Sequence, residues 1–244
     1  TKASMGVYVF SKDKLFEYLT ADEADPDSET DFGKNVIPAM LKAGERLFAF
    51  GFEGYWKDVG TIQSLWEANM DLLGDRPKLT LFDPDWKIYS RNAAQPPQYV
   101  GEKAVVRNSI VTEGCRINGT VVNSVLSAGV VVEEGAVVED SVLFEGVSVR
   151  SGARISYAVV DEGTDVGRNA SVGKPIGSAK GIALVGAGLK IPEGAQVPDS
   201  VRLDEDLLKE LTKDGGRSET ARPARTGKKP PDGTVGSEKG GKAE

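Results

Sequence analysis

Val137-Val138-Glu139-Asp140-Ser141 decides the fold, because the chain writes the same phrase more than once. Val105-Val106-Arg107-Asn108-Ser109 and Val121-Val122-Asn123-Ser124 precede it, and Gly114, Gly129, Gly146 and Gly163 follow at intervals of 15, 17 and 17 residues. A six-residue step runs inside the longer one, through Val105, Val111 and Ile117, and again through Val160, Val166 and Val172. A hexad repeated about three times per coil is the signature of a parallel β-helix. Each short strand directs an aliphatic residue into the prism, and Gly or Asn takes the corner where φ can be positive. This reading sets Val137 inside and Val138 outside. Burying each Val or Ile contributes roughly 1.5–3 kcal/mol, and stacked coils bury one another's side chains. A chance run of valines would not align over four copies.

The repeat begins at Tyr99. It breaks over Gly173–Lys180, resumes at Gly181-Ile182-Ala183-Leu184-Val185-Gly186, and continues to about Val197. Leu203, Leu207, Leu208 and Leu211 then form an apolar stripe on a short helix. Asp204, Glu205 and Asp206 start this helix and Lys209 and Lys213 end it, matching the helix dipole. Such a helix caps the open end of a β-helix core. The β-helix with its cap is therefore expected over residues 99–213, and a disordered tail of Gly, Pro, Lys, Arg and Glu over 214–244.

Upstream the texture differs. Residues 75–98, with Asp83-Pro84-Asp85 and Gln95-Pro96-Pro97, read as linker. Residues 1–74 alternate strand and helix patterns, which indicates an α/β layer without its first strands. Strands are expected over Ala3–Phe10 and Leu47–Phe52, with a short helix through Lys14, Leu15 and Tyr18 and an acidic loop over Ala21–Thr30. A second helix must hold Pro38 in its first turn, because an interior proline costs about 3 kcal/mol. Asn35 then serves as N-cap and Gly44 as stop, with Val36, Ile37, Met40 and Leu41 buried.

The chain's chemistry concentrates in Phe52-Glu53-Gly54-Tyr55-Trp56-Lys57-Asp58-Val59-Gly60-Thr61. Tyr55, Trp56 and Val59 have strand character. Gly60 permits a sharp turn, and Thr61 caps a helix whose apolar face is Ile62, Leu65, Trp66, Met70 and Leu73, with Gly74 as stop. Asp58 thus stands at a strand's C-terminal edge, where α/β sheets bind ligands. An Asp two residues before a Gly also caps turns as a matter of course. Alternation points Lys57 away from the Asp58 face, so Lys57 is expected solvated and Trp56 packed. Asp31 and Lys34 read as loop and cap residues.

With 244 residues the chain accommodates one large or two small domains. A net charge of −7 and a pI near 4.9 argue against nucleic acid or an anionic membrane as partner. No apolar run reaches the ~18–20 residues of a membrane span. One cysteine, Cys115, makes no internal disulfide and suits a reducing cytoplasm. There is no histidine, which removes Ser-His-Asp triads, His-based acid–base chemistry and His-containing zinc sites.

Several of these stretches resemble the bacterial glucose-1-phosphate adenylyltransferases (ADP-glucose pyrophosphorylases). They are Glu53–Thr61 followed by Trp66-Glu67-Ala68-Asn69-Met70-Asp71-Leu72-Leu73, Ala3-Ser4-Met5-Gly6-Val7-Tyr8-Val9-Phe10, Asp31-Phe32-Gly33-Lys34-Asn35-Val36-Ile37-Pro38, and Trp86-Lys87-Ile88-Tyr89-Ser90. The resemblance runs in order from residue 1 to about 200 and covers roughly the second half of such an enzyme. It implies an α/β plus all-β chain: the C-terminal part of a Rossmann-like nucleotidyltransferase catalytic domain over 1–74, then a left-handed parallel β-helix of hexapeptide repeats. It implies transfer of an adenylyl group from ATP to glucose 1-phosphate, giving ADP-glucose and pyrophosphate for glycogen biosynthesis. In that reaction positioning and charge neutralisation dominate. Asp58 matches one of two carboxylates that hold magnesium, and Ser4 matches the serine that contacts glucose 1-phosphate. The family implies a homotetramer with β-helices in the contacts, and effector binding near the domain contact. Ala187 stands here where some relatives carry a lysine.

The chain holds no Gly-rich loop of the kind that grips a triphosphate and no Glu-Lys-Pro for the sugar phosphate; Gly-Lys-Lys-Pro at 227–230 belongs to the tail. Half an active site is expected, and no turnover from this chain alone. Two other classes remain. A regulatory or assembly subunit of the same family would keep the β-helix without needing Asp58. A hexapeptide-repeat acyltransferase would share the β-helix but relies on a histidine base, which is missing.

Overall fold

Between Tyr99 and Leu203 the chain winds into a three-sided parallel solenoid. In the computed structural model, which describes residues 4–81, 83–89 and 94–213, three six-stranded parallel sheets form its walls. One wall takes Val105–Arg107, Thr120–Val122, Val137–Glu139, Arg154–Ser156, Ser171–Gly173 and Gln196–Val197, each strand paired with the equivalent one a coil away. All strand pairing in these walls therefore runs between coils, and each coil buries the next.

The inward register differs from the sequence expectation at the double-valine strands. Val138 is fully buried and Val137 is not; Val105 is 41% exposed while Val106 packs on the core. The inward column of this wall is Val121, Val138, Ile155, Val172 and Val197, and the outward column is Thr120, Val137, Arg154, Ser171 and Gln196. Val160, Val166 and Val172 do point inward as expected. Either valine of a pair satisfies the hexad within a single coil. Only stacking shows which one shares a column with Arg154.

The corners carry the positive-φ residues. Asn108, Asn123, Asp140 and Tyr157 occupy one corner in successive coils, with φ between 42° and 49°. Gly114, Gly129, Gly146, Gly163 and Gly188 occupy another, and Gly129 sits directly under Gly146, where a Cβ would meet its Cα at 4.0 Å. A serine follows the first corner in three coils, and these stack as a ladder. Ser141 accepts the Ala158 N–H and Ser124 accepts the Ser141 N–H, each at 3.1 Å. Each hydroxyl donates to a carbonyl two residues back, Ser124 to Val122 and Ser141 to Glu139, so both are satisfied though fully buried.

The hexad breaks after Gly173 as expected, and the excursion is pinned from the last coil. The buried Asp199 carboxylate accepts the Lys180 N–H at 2.6 Å and pairs with Lys174 at 3.1 Å. A helix, Glu205–Lys213, closes the end, with Leu207 and Leu208 packed on the solenoid core. The side chains of Leu211 and Lys213, and the tail 214–244, lie outside the described residues.

Two compact units divide the chain, Thr1–Trp56 and Lys57–Glu244. The first holds α1 (Lys12–Glu23) and, after a π-turn over Phe32–Val36, α2 (Ile37–Lys42). Asp31 caps this second element by accepting the Gly33 and Lys34 N–H groups, so the N-cap is Asp31 and not Asn35. Pro38 lies in the first turn of α2, Gly44 has φ +76°, and Val36 and Met40 are buried as expected, but Leu41 is 60% exposed. The strands expected over Ala3–Phe10 and Leu47–Phe52 do not form among the described residues; Ala3 itself falls outside them. Val7, Val9, Phe48 and Phe50 are accordingly 78–98% exposed. Strand character becomes a strand only when a neighbour supplies the ladder.

In the second unit α3 (Ile62–Met70) follows Thr61, which caps it as expected. The segment before it is likewise unpaired, and no regular element forms among the described residues between α3 and Tyr99.

Candidate functional site

Asp58 sits in a tight turn at the entrance to α3. Its carboxylate accepts the Gly60 N–H at 3.1 Å, as a turn-capping Asp does. Gly60 has no positive φ; a Cβ there would meet Asp58 Oδ1 at 3.3 Å and press on the carboxylate that caps the turn. Thr61 and Ser64 close a capping box: Thr61 Oγ1 accepts the Ser64 N–H and Ser64 Oγ accepts the Thr61 N–H, both at 3.1 Å. The Asp58 side chain is exposed, so its oxygens face solvent on a turn whose backbone is tied down on the helix side.

Lys57 corrects the expectation of a solvated lysine. Its side chain is 23% exposed, and its ammonium donates to Glu67 at 2.8 Å and to Asp71 at 3.5 Å. The hydrogen bond to Glu67, first, and the Asp71 charge hold the lysine above its ordinary pKa, while Lys57 holds Glu67 below its own. Lys78 donates to the other Asp71 oxygen at 2.8 Å. The residue before Asp58 is thereby tied to the far half of α3, and the turn is closed from both sides. Trp56, expected packed, is 50% exposed.

Beyond its turn, α3 lies against the solenoid corner that carries Asp140 and Tyr157. The Trp66 indole N–H donates to the Asp140 carbonyl at 2.7 Å, and its ring meets Tyr157 edge-on, centroids 4.9 Å apart. The Tyr157 hydroxyl donates to Gln63 Oε1 at 3.1 Å. Trp66 is legible on the apolar face of α3, whereas Tyr157 is not singled out by the sequence analysis; its signal is an aromatic residue where the three preceding coils put Asn or Asp.

Ser4 belongs to the first unit. Its hydroxyl accepts the Gly6 N–H at 3.1 Å and bonds the Tyr8 hydroxyl at 2.9 Å. Tyr8 stacks on Phe32 at 5.7 Å, and Phe10 is 5.7 Å from Phe32 and 5.9 Å from Tyr8. Two hydroxyls beside an aromatic cluster suit the alternating polar and apolar faces of a sugar. Tyr8 and Phe32 lay within the stretches that carry the resemblance, but only the geometry joins them to Ser4.

A carboxylate as exposed as Asp58 is a hard oxygen donor and fits one ligand position of magnesium. Among the described residues no group of three or more His, Cys, Asp or Glu side chains gathers to hold a metal ion, so Asp58 offers one ligand and not a full set. Among the described residues no helix is long and apolar enough to cross a membrane.

Known proteins match both parts of the chain. Residues 1–75 match the nucleotidyl transferase family model, and residues 95–180 match that of the GlmU-like C-terminal hexapeptide. Curated relatives named glucose-1-phosphate adenylyltransferase share 54% identity over 140 residues in Clostridium perfringens (strain SM101 / Type A), covering 57% of this chain and 36% of the relative. The Bacillus anthracis protein shares 57% over 138 residues, covering 57% of this chain and 37% of the relative. The Acetivibrio thermocellus protein shares 43% over 217 residues, covering 85% of this chain and 51% of the relative. The chain spans between about a third and a half of the length of these relatives. The family resemblance read from the sequence is borne out, as is the order of a nucleotidyltransferase segment followed by hexapeptide coils.

Proposed function

We propose that this chain is part of an enzyme that transfers an adenylyl group from ATP to glucose 1-phosphate, forming ADP-glucose and pyrophosphate for glycogen biosynthesis. The observation that supports it is the ordered match, across both the nucleotidyltransferase segment and the hexapeptide coils, to relatives of that name. Residues 1–74 then contribute the C-terminal part of the catalytic domain, 75–98 the linker, and 99–213 the β-helix. Ser4 contacts glucose 1-phosphate, with the Tyr8 hydroxyl beside it. Asp58 supplies one carboxylate to magnesium, which when bound neutralises phosphate charge during the transfer. The Lys57 clamp and the Thr61 capping box keep the Asp58 turn in one conformation, so that little reorganisation is needed when substrate arrives.

The chain by itself carries neither the triphosphate loop nor the second metal carboxylate, and in this reading it does not turn over alone. The whole enzyme is a cytoplasmic homotetramer with β-helices in its contacts. Exposed Tyr99, Val100 and Val105 at the first coil suit such an edge. The test is to complete the catalytic domain with the N-terminal half of a relative and compare Asp58 with Asp58→Asn. We expect kcat to fall by about 100-fold or more, on the order of 3 kcal/mol of lost charge stabilisation. Unchanged kinetics would remove Asp58 from the site. A regulatory or assembly subunit is the second reading, and it is favoured if the completed protein binds substrate but shows no turnover even with Asp58 intact.

A further inference from the structure

The helix that follows Asp58 is too short to stand alone. α3 has nine residues, and isolated helices below about 12–15 residues are marginal in water. Its order therefore comes from what it packs against. The tethers on its solenoid side are Trp66 to the Asp140 carbonyl, Trp66 to the Tyr157 ring, and Gln63 to the Tyr157 hydroxyl.

Tyr157 is out of place as a corner residue. Its φ is 49°, and the equivalent positions one, two and three coils earlier are Asp140, Asn123 and Asn108. Asn and Asp tolerate the left-handed region through local hydrogen bonds, whereas a bulky aromatic there is an outlier that carries strain. Asn123 also donates to Asp140 Oδ1 at 2.6 Å and Asn108 to Asn123 Oδ1 at 2.8 Å, so the polar residues form a ladder that Tyr157 does not continue. Nothing in the solenoid's own stacking asks for a tyrosine at this corner. Among the described residues, its ring meets Trp66 and its hydroxyl donates to Gln63, both on α3.

We propose that Tyr157 and Trp66 are positioning residues for Asp58: the solenoid corner orders α3, and α3, through the Thr61–Ser64 capping box and the Lys57 clamp, holds the turn that presents the Asp58 carboxylate. The solenoid is then a working part of the metal-binding edge as well as a scaffold. The inference rests on the metal role given to Asp58 above, but its mechanical half stands without it.

The distinguishing variant is Tyr157→Asn, made in the full chain. It restores the residue type of the neighbouring coils, so the solenoid should melt at the same temperature or higher, while α3 loses its aromatic partner. Amide exchange followed by NMR should quicken about tenfold at Ser64 and Leu65, whose N–H groups bond Thr61, with Val138 and Ile155 unchanged. Trp66→Phe, which keeps a ring but removes the donor to Asp140, should give a smaller change of the same kind. Unchanged exchange at Ser64 and Leu65 in both variants would overturn the proposal, as would equal quickening at Val138 and Ile155.

Titration with Mn2+, read as paramagnetic broadening at the Gly60 and Thr61 amides, separates the two layers. Asp58→Asn should abolish the broadening, and Tyr157→Asn should move its midpoint at least threefold higher. A midpoint that does not move while α3 loosens would overturn the positioning role. Broadening that survives Asp58→Asn would instead reject the metal reading, and exchange at the Gly60 amide would then decide the positioning claim alone.

Discussion

Val138 pairs with Ile155 across adjacent coils, both completely buried, while its neighbour Val137 pairs with Arg154 on the outer face. Two adjacent valines in one strand thus have opposite surroundings, and the difference is measurable. Val138→Asp should abolish cooperative melting, because an unpaired carboxylate in the prism costs at least about 4 kcal/mol and is felt by the coils on both sides. Val137→Asp should cost within about 1 kcal/mol. Thermal melting by circular dichroism compares them, and equal damage from both would reject the inward register.

Ser141 joins two coils with one hydroxyl, accepting from Ala158 and donating to Glu139. Ser141→Ala leaves the buried Ala158 N–H without its partner, while the Glu139 carbonyl keeps the Tyr157 N–H. We expect a loss of about 2 kcal/mol in denaturant unfolding. Ser109→Ala should lose less than half as much, because Ser109 is partly exposed and water replaces its hydroxyl.

Asp199 should make the solenoid's end sensitive to acid. The Lys180 N–H, and then Lys174, hold its carboxyl below the ordinary value against the opposing effect of burial. A depressed folded pKa contributes stability that is complete above the unfolded value, near 4, and is lost as pH falls through the folded one. Melting temperature should therefore drop more steeply below about pH 4 in the wild type than in Asp199→Asn, which lacks this contribution. Parallel curves for the two proteins would place the acid sensitivity elsewhere.

In the completed enzyme Ser4→Ala should raise the KM for glucose 1-phosphate and leave the KM for ATP nearly unchanged, with kcat altered less than KM. Steady-state kinetics with each substrate varied decides this. A change confined to ATP would move Ser4 out of the sugar subsite.

An isolated 99–213 chain should fold, with a strand-rich circular dichroism spectrum, because the buried core cluster from Cys115 to Leu203 and the Leu207 and Leu208 packed on it all lie within that range. Equilibrium sedimentation at micromolar concentration should show association above monomer. A strictly monomeric result would assign assembly to other parts of the enzyme.

The sequence by itself determined the elements whose interactions are local or repeated. Thr61 caps α3 because an N-cap needs only the residues that follow it directly. The solenoid was legible because each coil restates the hexad, and Pro38 could lie only in a first turn. The resemblance around Asp58 and Ser4 was likewise a matter of linear order. Tertiary structure decided what depends on residues far apart in the chain. Val137 and Val138 are equivalent within one coil, and only the columns Thr120–Val137–Arg154 and Val121–Val138–Ile155 tell them apart. Lys57 reads as a surface lysine until Glu67 and Asp71 return to it across the Asp58 turn. Val7, Val9, Phe48 and Phe50 have strand chemistry yet no ladder among the described residues, because pairing belongs to the neighbour as much as to the strand. Trp66 finds the Asp140 carbonyl 74 residues away, a meeting that no local pattern encodes and that coil stacking alone makes possible.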